Sequence, residues 1–121
     1  MDSRMKEFMD FTIMSWNIRG ASNLQTRRYL RELIRRHHPS ILFIMETHVP
    51  FAKMSTFWNR VGYFPVAVEE ANGHSGGIWA LLDVRISTRV VVVDRHFQGV
   101  TLGIGSGDSS WMCTGSASKG I

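Results

Sequence analysis

Two short apolar runs, each stopping at a side chain that carries an oxygen donor, constrain this chain more than any other feature. Residues 11–16 read FTIMSW and give way to Asn17; residues 41–45 read ILFIM and give way to Glu46. A short apolar run bounded by a polar break has the length of a buried strand. Both runs are apolar on either side of the pleat, as central strands covered on two faces are. An amide oxygen and a carboxylate are hard donors of the kind that magnesium takes. The runs therefore predict one sheet whose carboxyl edge gathers Asn17 and Glu46.

The segment between them sets the direction of the second strand. Ser22 followed three residues later by Gln25 has capping-box spacing, so a helix is predicted to begin at Ser22 or Asn23. Leu30, Leu33, Ile34 and His37 recur at helical intervals and define its buried stripe. Arg28, Glu32 and Arg36 lie four apart on another face and can pair along it. Pro39 ends it. Strand, helix and strand in that order favour a right-handed crossover and a parallel pair. Open α/β sheets place ligands outside the carboxyl ends of such strands.

Past Glu46, Pro50 suits the first turn of a second helix with the stripe Phe51, Met54, Trp58 and Val61, stopped by Gly62. Residues 63–68 read as a strand that Pro65 confines to a sheet edge. The segment ANGHSGG, residues 71–77, is a loop. Residues 78–82, 86–93, 97–104 and 110–115 read as further strands on short connections, with GSGD at 105–108 as a hairpin turn. Residues 1–10 form a polar leader, residues 11–115 one domain, and residues 116–121 an irregular tail. The expected fold class is α/β: a β-α-β start, then antiparallel strands, with no later helix to cover the second sheet.

Composition narrows the function classes. With 44% hydrophobic and 11% aromatic residues in 121, the chain fills a packed core. Cys113 is the single cysteine, which rules out an intramolecular disulfide and a thiolate zinc cluster. MDSRMKEFMD mixes both charges around no apolar centre, unlike a secretory signal. No apolar run nears the ~20 residues of a membrane span. A soluble, intracellular protein is expected. The net charge of +4 favours polyanionic partners. That charge is local: Arg27, Arg28, Arg31, Arg35 and Arg36 all fall on the first predicted helix, where they can meet phosphates without reading sequence. The plainer alternative is a solvated helix face with Glu32 bridging its neighbours.

MSWNIRGA, HPSILFIMETHV and HSGGIWALL, in that order, resemble the endonuclease/exonuclease/phosphatase superfamily. In particular they resemble the apurinic-type endonuclease domain of plant LINE-type (non-LTR) retrotransposons, over residues 12–114. The resemblance implies a four-layer α/β sandwich that cleaves DNA phosphodiesters with one magnesium or manganese ion, in the nucleus. It implies that Asn17 contacts the metal and phosphate region and that Glu46 ligates the metal. The family's tyrosine, Asp-x-Asn pair and Ser-Asp-His motif lie further along its sequence. Here no tyrosine follows Tyr63 and no Ser-Asp-His occurs. The expectation is thus the N-terminal half of the sandwich, holding part of a metal site without the groups that activate water.

Other features have simpler readings. Alone, Asn17 is a turn former and Glu46 a solvated loop carboxylate. The run Asp94, Arg95, His96 does not replace the missing acid and histidine, because neighbouring strand residues point to opposite faces. His48 lies two residues past Glu46 and could approach the site, but the expectation is an exposed loop histidine, as for His74. His37 and His38 suit the last carbonyls of the helix. Trp16, Trp58, Trp79 and Trp111 fall within apolar patterns and are assigned to the core. Two readings compete with a nuclease domain. One is a nucleic-acid binder working through the arginine helix. The other is a structural remnant, whose first sheet would leave an inner face uncovered.

Overall fold

The structure, a computed structural model, describes residues 12–19, 23–71, 76–86, 89–96, 99–106 and 109–116. Strand β1 (Ile13–Asn17), helix α1 (Leu24–His37) and strand β2 (Ile41–Met45) form the expected β-α-β unit. The two strands are parallel and pair from Ile13 with Ile41 to Asn17 with Met45. A 3-10 turn (Phe51–Lys53) leads into α2 (Ser55–Val61), which Gly62 stops at φ 87. Strands β3 (Tyr63–Glu69) and β4 (Ile78–Asp83) complete a four-stranded sheet of order β1-β2-β4-β3, with β4 antiparallel to both neighbours. Pro65 stands on the edge strand β3, as its missing N–H requires, beside an irregularity between Pro65 and Ala67. Strands β5 (Arg89–His96), β6 (Gly99–Ser106) and β7 (Ser109–Ser116) form a second, antiparallel sheet in that order.

Strands β2 and β4 occupy the middle because neither has a polar face. Leu42, Ile44, Trp79 and Leu81 pack beneath the helices with Leu30, Ile34, Met54, Phe57 and Trp58. The alternate residues Ile41, Phe43, Ile78, Ala80 and Leu82 meet Val100, Leu102 and Ile104 of β6. Helices, mixed sheet and antiparallel sheet are thus three stacked layers with a core on each side of the middle one. Trp79 stands edge-on to Phe51 at 5.2 Å and to Trp58 at 6.3 Å between centroids. The core assignment holds for Trp58 and Trp79, which are fully buried, and Trp16 packs on the same cluster.

Several local expectations change. Strand β1 is not covered on two faces: Met14 and Trp16 pack on the helix side, whereas Ile13 is 43% exposed and Ser15 and Asn17 face outward. Among the described residues β1 pairs with β2 alone, as an edge strand of the first sheet, and contributes nothing to the core shared with the second sheet. Helix α1 starts at Leu24 under an Asn23 cap, whose side-chain oxygen accepts the Thr26 N–H at 2.7 Å. Ser22, its proposed partner in a capping box, lies outside the described residues. His37 is exposed, since the chain turns at His38 (φ 44) immediately after it; the buried stripe is Leu30 and Ile34. Strand β5 begins at Arg89 rather than at residue 86. Asp83 delays it by accepting the Arg85 backbone and guanidinium N–H groups in a turn closed by Ile86 N–H on the Asp83 carbonyl. His74, the tip of the 105–108 turn, the leader and residues 117–121 also lie outside the described residues.

Tyr63 ties the edge strand to the α1–β2 corner, its buried hydroxyl donating to the Pro39 carbonyl. Burial, and then the nearby Asp83 carboxylate, raise its phenol well above the usual value. A raised folded-state pKa contributes stability that is complete below the unfolded value of about 10 and is lost as pH rises beyond it. Thermal melts should therefore show the chain losing stability above about pH 10. Tyr63→Phe should be less stable by about 1–3 kcal/mol at neutral pH and should lose less on going alkaline. Equal alkaline losses in the two proteins would contradict this.

Candidate functional site

Beyond Met45 the chain leaves the extended conformation. Glu46 (φ 58) and His48 (φ 56) both adopt the left-handed region, which costs a non-glycine residue about 1–2 kcal/mol. The turn is held from β4. Glu46 N–H donates to the Gly77 carbonyl at 3.0 Å and His48 N–H to the Gly76 carbonyl at 2.9 Å. Between them Thr47 is fully buried, its hydroxyl donating to the same Gly76 carbonyl at 3.3 Å. Strain that the surroundings keep in place collects at functional sites.

The turn folds the Glu46 side chain inward, so that the residue is 8% exposed, and sets its Oε2 2.8 Å from His48 Nε2. The backbone of Gly76 closes the other side: a Cβ there would lie 2.0 Å from the same oxygen. Gly77 (φ 90) leaves room for Thr47, whose Oγ1 a Cβ would meet at 2.4 Å. The glycines of SGGIW are therefore a wall of the site as well as a loop. Asn17 stands level with Met45, and the Ile18 N–H donates to the Met45 carbonyl at 3.1 Å. Asn17 and Glu46 thus leave the sheet at one edge, adjacent in register, as their strand ends implied. Asn17 is exposed there and Glu46 is not, which removes the reading of Glu46 as a solvated loop carboxylate.

His48 is exposed, as expected, its side chain at 53%, yet its imidazole engages Glu46. Sequence reasoning missed that contact. The two-residue spacing was visible, but the left-handed turn that sets this contact has no local signal in the sequence.

The five arginines do not form one free basic face. Arg27 reaches back to the Lys53 carbonyl at 3.4 Å, and Arg31 lies over the Phe57 ring at 5.5 Å. Arg35 and Arg36 share Glu32 at 2.8 and 3.4 Å. The Arg35 hydrogen bond, with the charges of both guanidiniums, lowers the Glu32 pKa. Arg28 is exposed and has no partner among the described residues. Because α1 runs from the carboxyl end of β1 to the amino end of β2, Arg28 lies nearer the Asn17 edge. Arg35 is roughly 10 Å further along the axis, at ~1.5 Å per residue. On β5, Arg95 is bound to Glu69.

Among the described residues no three His, Cys, Asp or Glu side chains converge. Magnesium does not require that, since it keeps several waters and takes one or two carboxylates plus substrate phosphates. Glu46, with Oε1 lacking a partner among the described residues, and the exposed amide of Asn17 fit such a partial donor set. Gly76→Ala should displace the Glu46 carboxylate and destabilise the chain by about 1–3 kcal/mol in urea titrations. Gly105→Ala, whose Cβ would meet nothing within 4 Å, should stay within about 1 kcal/mol of the parent. Equal effects at the two positions would contradict the geometry.

The Endonuclease/Exonuclease/phosphatase family model matches residues 14–108. Among solved structures the chain is similar to the endonuclease domain of TRAS1, a telomere-specific non-LTR retrotransposon. That likeness has a TM-score of 0.63 at 12% identity and covers 90% of this chain and 46% of that one. It is also similar to the human Nocturnin catalytic domain, solved with a bound sulfate anion, with a TM-score of 0.53 at 18% identity over 86% of this chain and 48% of that one. At these identities the likeness is one of fold, and the chain spans about half the length of the structures it matches. No curated protein matches it in sequence. The family match runs from β1 through both sides of the Glu46 turn to the end of β6, and the chain belongs to the Endonuclease/Exonuclease/phosphatase family.

Proposed function

We propose that this chain is the metal-holding part of a phosphodiester-cleaving endonuclease domain of the non-LTR retrotransposon kind, acting on DNA in the nucleus. The observation that carries the proposal is the buried Glu46 carboxylate locked at the carboxyl end of β2, in register beside Asn17. Glu46 and Asn17 would hold a magnesium or manganese ion, which when bound polarises a phosphate oxygen and offsets the charge of the transition state. The Glu46 Oε2 lies 2.8 Å from His48 Nε2 and against the Gly76 backbone. The exposed amide of Asn17 can donate an N–H to a phosphate oxygen. Arg28 can neutralise a neighbouring phosphate without reading bases. In the described residues no helix is long and apolar enough to cross a membrane.

Cleavage further needs a group that activates water and one that protonates the leaving oxygen. The other glutamates at this sheet edge are engaged, Glu69 with Arg95 and Glu70 with the Phe51 N–H at 3.1 Å. In this reading the chain binds metal and backbone phosphate without turnover.

Two assays test this. Magnesium-dependent nicking of supercoiled DNA carrying abasic sites should be no greater for the chain than for its Glu46→Ala form. Magnesium-dependent DNA binding should be lost in Glu46→Ala. In Arg28→Ala, the dependence of log affinity on log salt should flatten by about one unit of slope. Nicking that vanishes in Glu46→Ala would overturn the absence of turnover. DNA binding indifferent to both substitutions would overturn the proposal.

A further inference from the structure

The contact between His48 and Glu46 has no part in building the core: the histidine is half exposed, and the strands on either side are held by their own ladders and packing. It nevertheless sits where two left-handed residues flank a buried threonine, a conformation that brings side chains two apart within 2.8 Å. The bonded oxygen, Oε2, is walled on its other side by the Gly76 backbone. One oxygen of the carboxylate is thereby fixed between an imidazole and a glycine, and the other, Oε1, is left without a partner among the described residues.

We infer that His48 is a positioning residue for Glu46, its Nε2–H fixing Oε2 so that Oε1 is presented in one orientation to a divalent cation. The inference rests on the proposed metal role of Glu46. A nitrogen that donates to the carboxylate cannot at the same time offer its lone pair to a cation, so Nε2 acts through Glu46 rather than as a ligand. Hydrogen-bond partners of this kind orient a ligating carboxylate, and their removal typically lowers metal affinity about 10–100-fold. Gly76 supplies the steric half of the same restraint, excluding rotation of the carboxylate toward β4.

Binding of Mn2+ to the chain, followed by the loss of the free-ion electron paramagnetic resonance signal, tests this without any need for turnover. The parent chain should bind, and Glu46→Ala should not. His48→Ala should bind about 10–100-fold more weakly. His48→Gln, whose amide N–H can reach the same carboxylate oxygen, should recover most of the lost affinity. Alanine and glutamine occupy the same left-handed position, so the difference between them isolates the side-chain hydrogen bond from the cost of the turn. Thermal melts establish that each variant is folded. Unchanged affinity in His48→Ala would overturn the positioning role while leaving that of Glu46 intact. Failure of His48→Gln to improve on His48→Ala would also overturn it, pointing to a part played by the imidazole itself. Equal binding by the parent and Glu46→Ala would remove the metal reading on which the inference stands.

Discussion

The site edge depends on two backbone hydrogen bonds made after the regular pairing of β2 and β4 has ended, from Glu46 to Gly77 and from His48 to Gly76. Each is worth about 0.5–1.5 kcal/mol net, comparable with the cost of about 1–2 kcal/mol for each left-handed residue that it holds. The turn has little stability of its own. It persists because β4 delivers Gly76 and Gly77 to a fixed place, and because a side chain at either glycine would collide with Glu46 or Thr47. A carboxylate buried in this way has a defined orientation, and orientation is what a metal ligand on a mobile loop lacks.

What fixes β4 is the two-sided core. Fully burying one large apolar side chain contributes about 1.5–3 kcal/mol, and β2 and β4 bury apolar residues on both faces. Sliding one strand past the other by a single residue would exchange the two faces and carry Glu46 away from Gly76. The clamp is therefore a consequence of packing between the layers. The same packing bears on the reading as a structural remnant. The inner face of the first sheet is covered over β2 and β4, while on the two edge strands Ile13 and Phe64, in register with Ile41 and Leu82, are 43% and 42% exposed.

Much of this was legible in the sequence wherever the signal was local. The β-α-β start, the two strand ends at Asn17 and Glu46, the stop at Gly62 and the edge position of Pro65 all follow from periodicity and from backbone chemistry within a few residues. The family was legible too, in WNIRG, METH and SGGIW taken together, and the match over residues 14–108 bears it out. The remainder depended on distant segments. Ile13 has the character of a core residue but is 43% exposed, because β1 is an edge strand that, among the described residues, adds nothing to the core shared with the second sheet. His37 has stripe spacing but falls where the chain turns away. Arg27 and Arg31 read as free cations until the Lys53 carbonyl and the Phe57 ring are brought alongside. The contact between His48 and Glu46 is made across a turn at residues 46–48 that is held by glycines some thirty positions later.

A divalent cation received at this sheet edge would show most directly in paramagnetic broadening of backbone amide resonances during a substoichiometric Mn2+ titration. The amides of Ile18, Glu46, Thr47 and Gly77 should broaden first and together. Broadening that begins around Asp83 or Glu32, with the Glu46 turn unaffected, would contradict this.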